Sequence, residues 1–206
     1  MSATAGGENY TPVAQICHWI VAVFILAGVV LAWIFMAMPA DAPGRFIYIT
    51  LHKSFGQTVF FLALFRLIWR RLHPPPPLND RVAGWEASIA RMNHWLLYLI
   101  MIYMPVTGYI LAIAAARPSP YFWLFYWPQP ALSRTVTHAA LRAHLFGQYV
   151  LYIVVGMHVA AVIWHIVVRR DGTLQRMFPA QVGQRPVSTN AHATLEIGRP
   201  EEDVTP

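Results

Sequence analysis

The segment His144-Leu-Phe-Gly-Gln-Tyr-Val-Leu-Tyr-Ile-Val-Val-Gly-Met-His158 contains no charged residue and has a histidine at each end. In an α-helix, a step of fourteen residues returns to within about 40° of the same face and climbs about 21 Å. One face therefore presents two imidazoles at two depths. The apolar run continues to Val168, and about 20 helical residues suffice to cross a hydrocarbon core of roughly 30 Å. An imidazole at such depth is costly, so it reads as a functional group turned toward the interior of a helix bundle, with a partner there.

Three further windows of this kind lie upstream, which places the four spans at about 13–38, 47–69, 94–116 and 144–168. None contains Asp or Glu, and Lys53 and Arg66 lie near span ends, where long side chains reach water. The composition agrees: of 206 residues, 57% are hydrophobic and 12% charged, against roughly 25% charged in soluble domains. A disordered chain, a coiled coil and a disulfide-stapled module are excluded on the same grounds. The expected fold is all-α, a transmembrane four-helix bundle over residues 13–178, preceded by a cytoplasmic segment 1–12 and followed by a disordered cytoplasmic tail 179–206. The twelve residues before the first span hold Glu8 and no Lys or Arg, so that span reads as a retained helix and not a cleaved signal. Prolines 74–77 form a rigid connector after span two. The aromatic run Tyr121-Phe122-Trp123-Leu124-Phe125-Tyr126-Trp127 suits the headgroup region between spans three and four.

Basic residues set the orientation. Ten of the 15 Lys and Arg flank the loop after span two or follow span four, and five (Arg45, Lys53, Arg117, Arg134 and Arg142) lie on the other side. Both termini are thus expected in the cytoplasm. With Asp41 the only acid in the outer loops, that face carries about +4 and would attract small anions.

Six histidines fall in the spans: His18, His52, His94, His144, His158 and His165. Alternating entry puts His18 on the inner side of span one and His52 on the outer side of span two. Inner His18 can then face His158, and outer His52 can face His144. Two cross-helix pairs stacked through the bilayer are what two planar macrocycles with bis-imidazole iron require. Spacing alone leaves His165 open as the inner partner, since it lies on almost the same face as His158 and at a depth that suits His18. Gly56, Gly147 and Gly156 stand about one turn or less from these histidines, where a missing side chain lets a flat ring approach the backbone. Arg66 shares the His52 face at the inner depth, where it can pair with a propionate or snorkel to the cytoplasm. His94 and Tyr98, one turn apart, suit a quinone pocket, a propionate contact or an interfacial structural role. Pro105 and Gly108 can kink or thin span three around a ring. The single cysteine, Cys17, reads as packing. It rules out a Cys-x-x-Cys-His attachment, so the haem would be non-covalent b-type, and two axial histidines suit it to moving single electrons.

Taken in order, Cys17-His18-Trp19, Leu51-His52-Lys53-Ser54-Phe55-Gly56, Arg66-x-x-x-Arg70, His94-x-x-x-Tyr98, Pro105-x-x-Gly108, His144-x-x-Gly147, Gly156-Met157-His158 and Asp171-Gly172-Thr173-Leu174 resemble the bacterial cytochrome b561 family over residues 10 to 178. The resemblance implies a four-helix protein of the bacterial inner membrane with two b haems on His18, His52, His144 and His158. It favours His158 over His165, as does an iron separation near 20 Å in place of one near 30 Å, both estimated from helix rise. It also implies electron transfer between an outer-side donor, superoxide in some members, and membrane ubiquinone. Lys53, beside His52 on the basic outer face, is the candidate for drawing in a superoxide anion. Two other classes accommodate the same histidines. One is a haem-bearing anchor subunit of a larger redox enzyme; the other is a histidine-based metal transporter, which the absence of intramembrane carboxylates and internal repeats disfavours. The partners expected are the lipid bilayer, quinone and the outer-side donor, with no nucleic acid.

Overall fold

The computed structural model describes residues 9–76, 84–114, 119–130 and 132–179. Four long helices dominate: α1 (Pro12–Ala37), α2 (Arg45–Leu72), α3 (Gly84–Ala114) and α4 (Arg134–Trp164). A two-stranded antiparallel hairpin, β1 (Pro120–Tyr121) with β2 (Phe125–Tyr126), separates α3 from α4. After α4 the chain makes a π-helical turn (His165–Arg169) and a 3-10 turn (Gln175–Met177). The expected terminal segments fall largely beyond these bounds: residues 1–8 and 180–206, Arg81 and Arg117 all lie outside the described residues.

Local chemistry sets the helix ends. Thr11 caps α1, its hydroxyl accepting from the Ala14 N–H at 3.3 Å, with Pro12 following at the first helical position. Gly44, at φ +78°, makes the left-handed turn into α2. That helix ends on Arg70 and Arg71, which suit the negative end of its dipole, just before the proline run. Ser133 caps α4. Helices α3 and α4 each start ten residues before the apolar windows predict, at Gly84 and Arg134. Polar turns carrying Glu86, Ser88, Arg91, Arg134 and Thr137 continue them, and hydrophobicity marks where a helix enters lipid, not where it begins.

Helix α1 runs antiparallel along α2, as the bonds from Trp69 Nε1–H to Thr11 Oγ1 (2.9 Å) and from His52 to Gly28 show. Helix α3 runs likewise along α4, with Tyr103 O–H donating to Ala143 O at 3.0 Å and Arg169 paired to Glu86 at 2.6 Å. Helices α2 and α3 also pack together. Helix α4, by contrast, reaches α1 and α2 through long side chains, among them Trp33 Nε1–H to Tyr152 O–H at 2.8 Å. A core of Val21, Val59, Ala63, Tyr98 and Met101 joins α1, α2 and α3.

The distribution of side chains is inverted relative to a soluble protein. Leu26, Met36, Ile68, Leu99, Phe146 and Ile153 are exposed, while Gln15, Thr50, Ser54, Asn93 and Thr107 are buried. Such a surface matches lipid, not water. Helices α1, α3 and α4 are long and apolar enough to cross a membrane. Helix α2 is not in that group, because polar residues on its buried side lower its hydropathy. Several of them hold the hairpin: Ser54 Oγ accepts from the Phe122 N–H (2.8 Å), Gln57 donates to Ser119 Oγ (3.2 Å), and Trp127 Nε1–H donates to Gln57 Oε1 (2.9 Å). The hairpin tip is strained. Phe122 and Trp123 sit at φ +44° and +62° in a turn closed by Leu124 N–H to Tyr121 O (2.9 Å), a conformation that costs side-chain-bearing residues on the order of 1–3 kcal/mol each.

Candidate functional site

At one level of the bundle, expected to be the outer one, His52 of α2 faces His144 of α4 with ring centres 6.3 Å apart and planes at 87°. Each ring is fixed by its Nδ1. His52 Nδ1 lies 2.8 Å from the Gly28 carbonyl, which can only accept, so this nitrogen carries the proton. His144 Nδ1 lies 3.0 Å from Thr107 Oγ1. The Thr107 hydroxyl has one proton and three groups within reach, the Tyr103 and Met104 carbonyls at 2.9 and 3.0 Å and His144 Nδ1, so a proton given to a carbonyl leaves its oxygen to accept from His144. His52 is therefore the Nδ1–H tautomer, with an Nε2 lone pair free to bind a metal, and the Thr107 contact is compatible with the same tautomer at His144.

At the other level, His18 of α1 and His158 of α4 have ring centres 6.1 Å apart. His94 of α3 meets the same His158 ring at 5.6 Å. Arg66 of α2 faces this group, its charge felt at His18, His94 and His158. Tyr98 is buried and lines, with Arg66, Trp69, Arg70 and His73, a cavity of about 200 Å³ at the end of α2. One turn of helix thus divides the two residues expected to share a pocket: His94 turns to His158 and Tyr98 to the cavity. Lys53 follows His52 on α2, partly buried, with its charge felt at the His52 ring. His165 turns to Asp171. Its Nδ1–H donates to Asp171 at 2.6 Å, and Asp171 also accepts from the Thr173 hydroxyl and backbone N–H. Residues 176–178 beyond this turn strap the start of α1, where Gln15 donates to the Arg176 and Phe178 carbonyls and Trp19 to that of Met177.

Among the described residues no cluster of three or more His, Cys, Asp and Glu side chains could hold a bare metal ion. A facing imidazole pair instead suits an ion that brings its remaining ligands with it. A metal–imidazole bond of about 2.0 Å, with each ring centre roughly 1 Å behind its nitrogen, puts the centres about 6 Å apart, and both pairs have that separation. The glycines supply the second test. A Cβ added at Gly28, Gly56 or Gly156 would meet nothing within 4 Å, although Gly28 is buried. At the buried Gly28, whose carbonyl meets His52, open space therefore lies against the backbone, of a kind a flat macrocycle fills, whereas Gly156 is exposed and opens to the bundle surface. Gly147, by contrast, makes no room for a ring. A Cβ there would come within 2.6 Å of Tyr103 and Met104, so this glycine serves the close packing of α3 on α4. At Gly108 a Cβ would stand 3.0 Å from the His144 ring, so the ring that span three accommodates is an imidazole.

Two contributors escape a reading of the sequence. The Gly28 acceptor is a main-chain atom and leaves no trace in residue identity. Thr107 looks like any membrane threonine bonded to its own helix; the only hint is its place between Pro105 and Gly108.

The model of the prokaryotic cytochrome b561 family matches residues 9–180. Among curated proteins, the chain is similar to one named probable superoxide oxidase CybB from Yersinia pestis, at 28% identity over 172 residues, covering 81% of this chain and 93% of that protein. It is also similar to cytochrome b561 homolog 2 of Escherichia coli K12, at 26% identity over 184 residues with 86% and 95% covered, and to homolog 1 of the same strain, at 22% over 164 residues with 79% and 92% covered. With the family model spanning all four helices and both facing imidazole pairs within its bounds, the chain belongs to the prokaryotic cytochrome b561 family.

Proposed function

We propose that the chain is a transmembrane four-helix bundle holding two non-covalent b-type haems, and that it passes electrons between an outer-side donor and membrane quinone. The observation that carries this reading is the pair of imidazole couples, 6.3 and 6.1 Å between centres, with open space against the buried Gly28. His52 and His144 would hold the outer haem, His18 and His158 the inner one, with Arg66 placed for an inner propionate. A haem held by two of these imidazoles would supply one-electron transfer. The protein would lie in the bacterial inner membrane with both termini in the cytoplasm.

The chain's own residues divide the remaining work. Apolar packing of α1, α2 and α3 keeps water out of the bilayer interior. Lys53 and the basic outer loops would draw in a superoxide anion, which gives up one electron and leaves as dioxygen. The cavity lined by Arg66, Arg70, His73 and Tyr98 offers directed polar groups beside apolar walls, as a quinone headgroup needs. A reduced-minus-oxidised spectrum with haem quantification tests the reading. Two low-spin haems per chain are expected. Single replacement of His18, His52, His144 or His158 should remove one or make it high-spin, and replacement of His94 or His165 should leave both. A colourless, iron-free chain from cells supplied with porphyrin precursor refutes the proposal.

A further inference from the structure

We propose that Thr107 is a positioning residue of the outer pair, its hydroxyl oxygen fixing His144 as the Nδ1–H tautomer and aiming the other ring nitrogen toward His52. The inference rests on the haem reading above and assigns to this threonine a part in it. Three observations meet at the site. With main-chain carbonyls at 2.9 and 3.0 Å to take its single proton, the Thr107 hydroxyl has its oxygen free to accept from His144 Nδ1–H at 3.0 Å. Met104, one helical turn before Thr107, supplies one of those carbonyls, so the acceptor for the hydroxyl proton is built into α3 itself. Thr107 is buried, so water cannot readily replace it.

The rest of this α3 segment is built to the same end. Gly108 clears the space that the ring edge occupies, since a Cβ would stand 3.0 Å from His144 Cε1. Tyr103 clamps the backbone beside the ring through its bond to Ala143 O at 3.0 Å, and packs on Gly147. The segment 103–108 thus forms a seat that sets the height, tilt and tautomer of one imidazole. The opposing imidazole uses a main-chain carbonyl, so the side-chain half of the outer pair is the half that substitution can tune.

An acceptor on the far nitrogen raises the basicity of a ligating imidazole, and its loss typically costs about 10–100-fold in metal affinity. A more basic ligand favours the oxidised iron, so losing the acceptor shifts reduction to higher potential. The test uses the purified full-length chain with its haems, comparing Thr107→Val and Thr107→Ser with wild type. Thr107→Val should release one of two haems to an excess of a scavenging apoprotein about 10–100-fold faster. The reduction step of that haem should move to higher potential while the other stays. Thr107→Ser keeps the hydroxyl and should behave as wild type. A Thr107→Val protein with wild-type release rates and both reduction steps in place overturns the proposal, as does a Thr107→Ser protein impaired to the same degree. Wild-type chain whose haem content is indifferent to His144→Ala would sink the haem reading itself, a result distinguishable from either outcome at Thr107.

Discussion

Replacing Gly28 by alanine separates a cradle from an accident of packing. It lies in a helix interior, where glycine costs roughly 0.5–1 kcal/mol relative to alanine, and a Cβ there meets nothing within 4 Å. In the haem-free protein, Gly28→Ala should therefore stabilise the helix by that amount. For a chain of this size, 1 kcal/mol raises Tm by about 2–4 °C. With haem bound, the added methyl occupies space meant for the ring edge, and such overpacking costs about 1–3 kcal/mol, a loss of roughly 5–150-fold in haem affinity. The Gly28 carbonyl that accepts from His52 survives the substitution, so a lost ligand contact cannot explain the effect. Differential scanning in detergent, on protein made with and without haem supply, should show the variant melting higher when empty and closer to or below wild type when loaded. An equal rise in both forms would mean that the space beside Gly28 holds no cofactor.

Gly147→Ala should destabilise empty and loaded protein alike by about 1–3 kcal/mol in thermal unfolding, because its Cβ would collide with Tyr103 and Met104 at 2.6 Å. Ser54→Ala leaves the Phe122 N–H without its acceptor, at a cost of about 1–3 kcal/mol; amide exchange should speed up across residues 119–127, whose tip is already strained, and unchanged exchange there would count against the hairpin's dependence on α2. Burial alone would raise the Asp171 carboxyl, but hydrogen bonds from Thr173 and His165 outweigh it and hold the group below its ordinary value. Its contribution is therefore complete above the usual carboxylate range and lost as pH falls through the lowered folded value. Limited proteolysis of residues 171–178 should rise in that acidic window, and Asp171→Asn should cleave readily without needing acid.

The helices were legible because lipid demands long apolar runs, and their partnering because alternating entry fixes which histidines share a depth. His52 and His144 come together by that argument, whereas for His18 depth and face angle left His158 and His165 both open and the family resemblance favoured His158. The helix starts were hidden: Gly84 and Arg134 open amphipathic turns that hydrophobicity does not mark. The fate of individual glycines was hidden too. Gly147 and Gly156 look equivalent by spacing, and only the neighbouring helix reveals that one abuts Tyr103 while the other borders open space. His165 was indistinguishable from His158 by face angle, and its contact with Asp171, made where the chain turns after α4, leaves no mark in the spacing.

The uneven packing of the helices bears on how the molecule is put together. Helices α1 and α2 form one close antiparallel unit and α3 and α4 another, while α4 meets α1 and α2 mainly through outstretched side chains. Each unit joins segments near in sequence, so it can assemble as it leaves the insertion machinery, before its counterpart is made. The facing imidazoles lie on the seam between these prefabricated halves. A group gripped there would tie α4 to α1 and α2, which the α2–α3 packing alone does not do, so on the haem reading cofactor supply would govern how firmly the last helix is held.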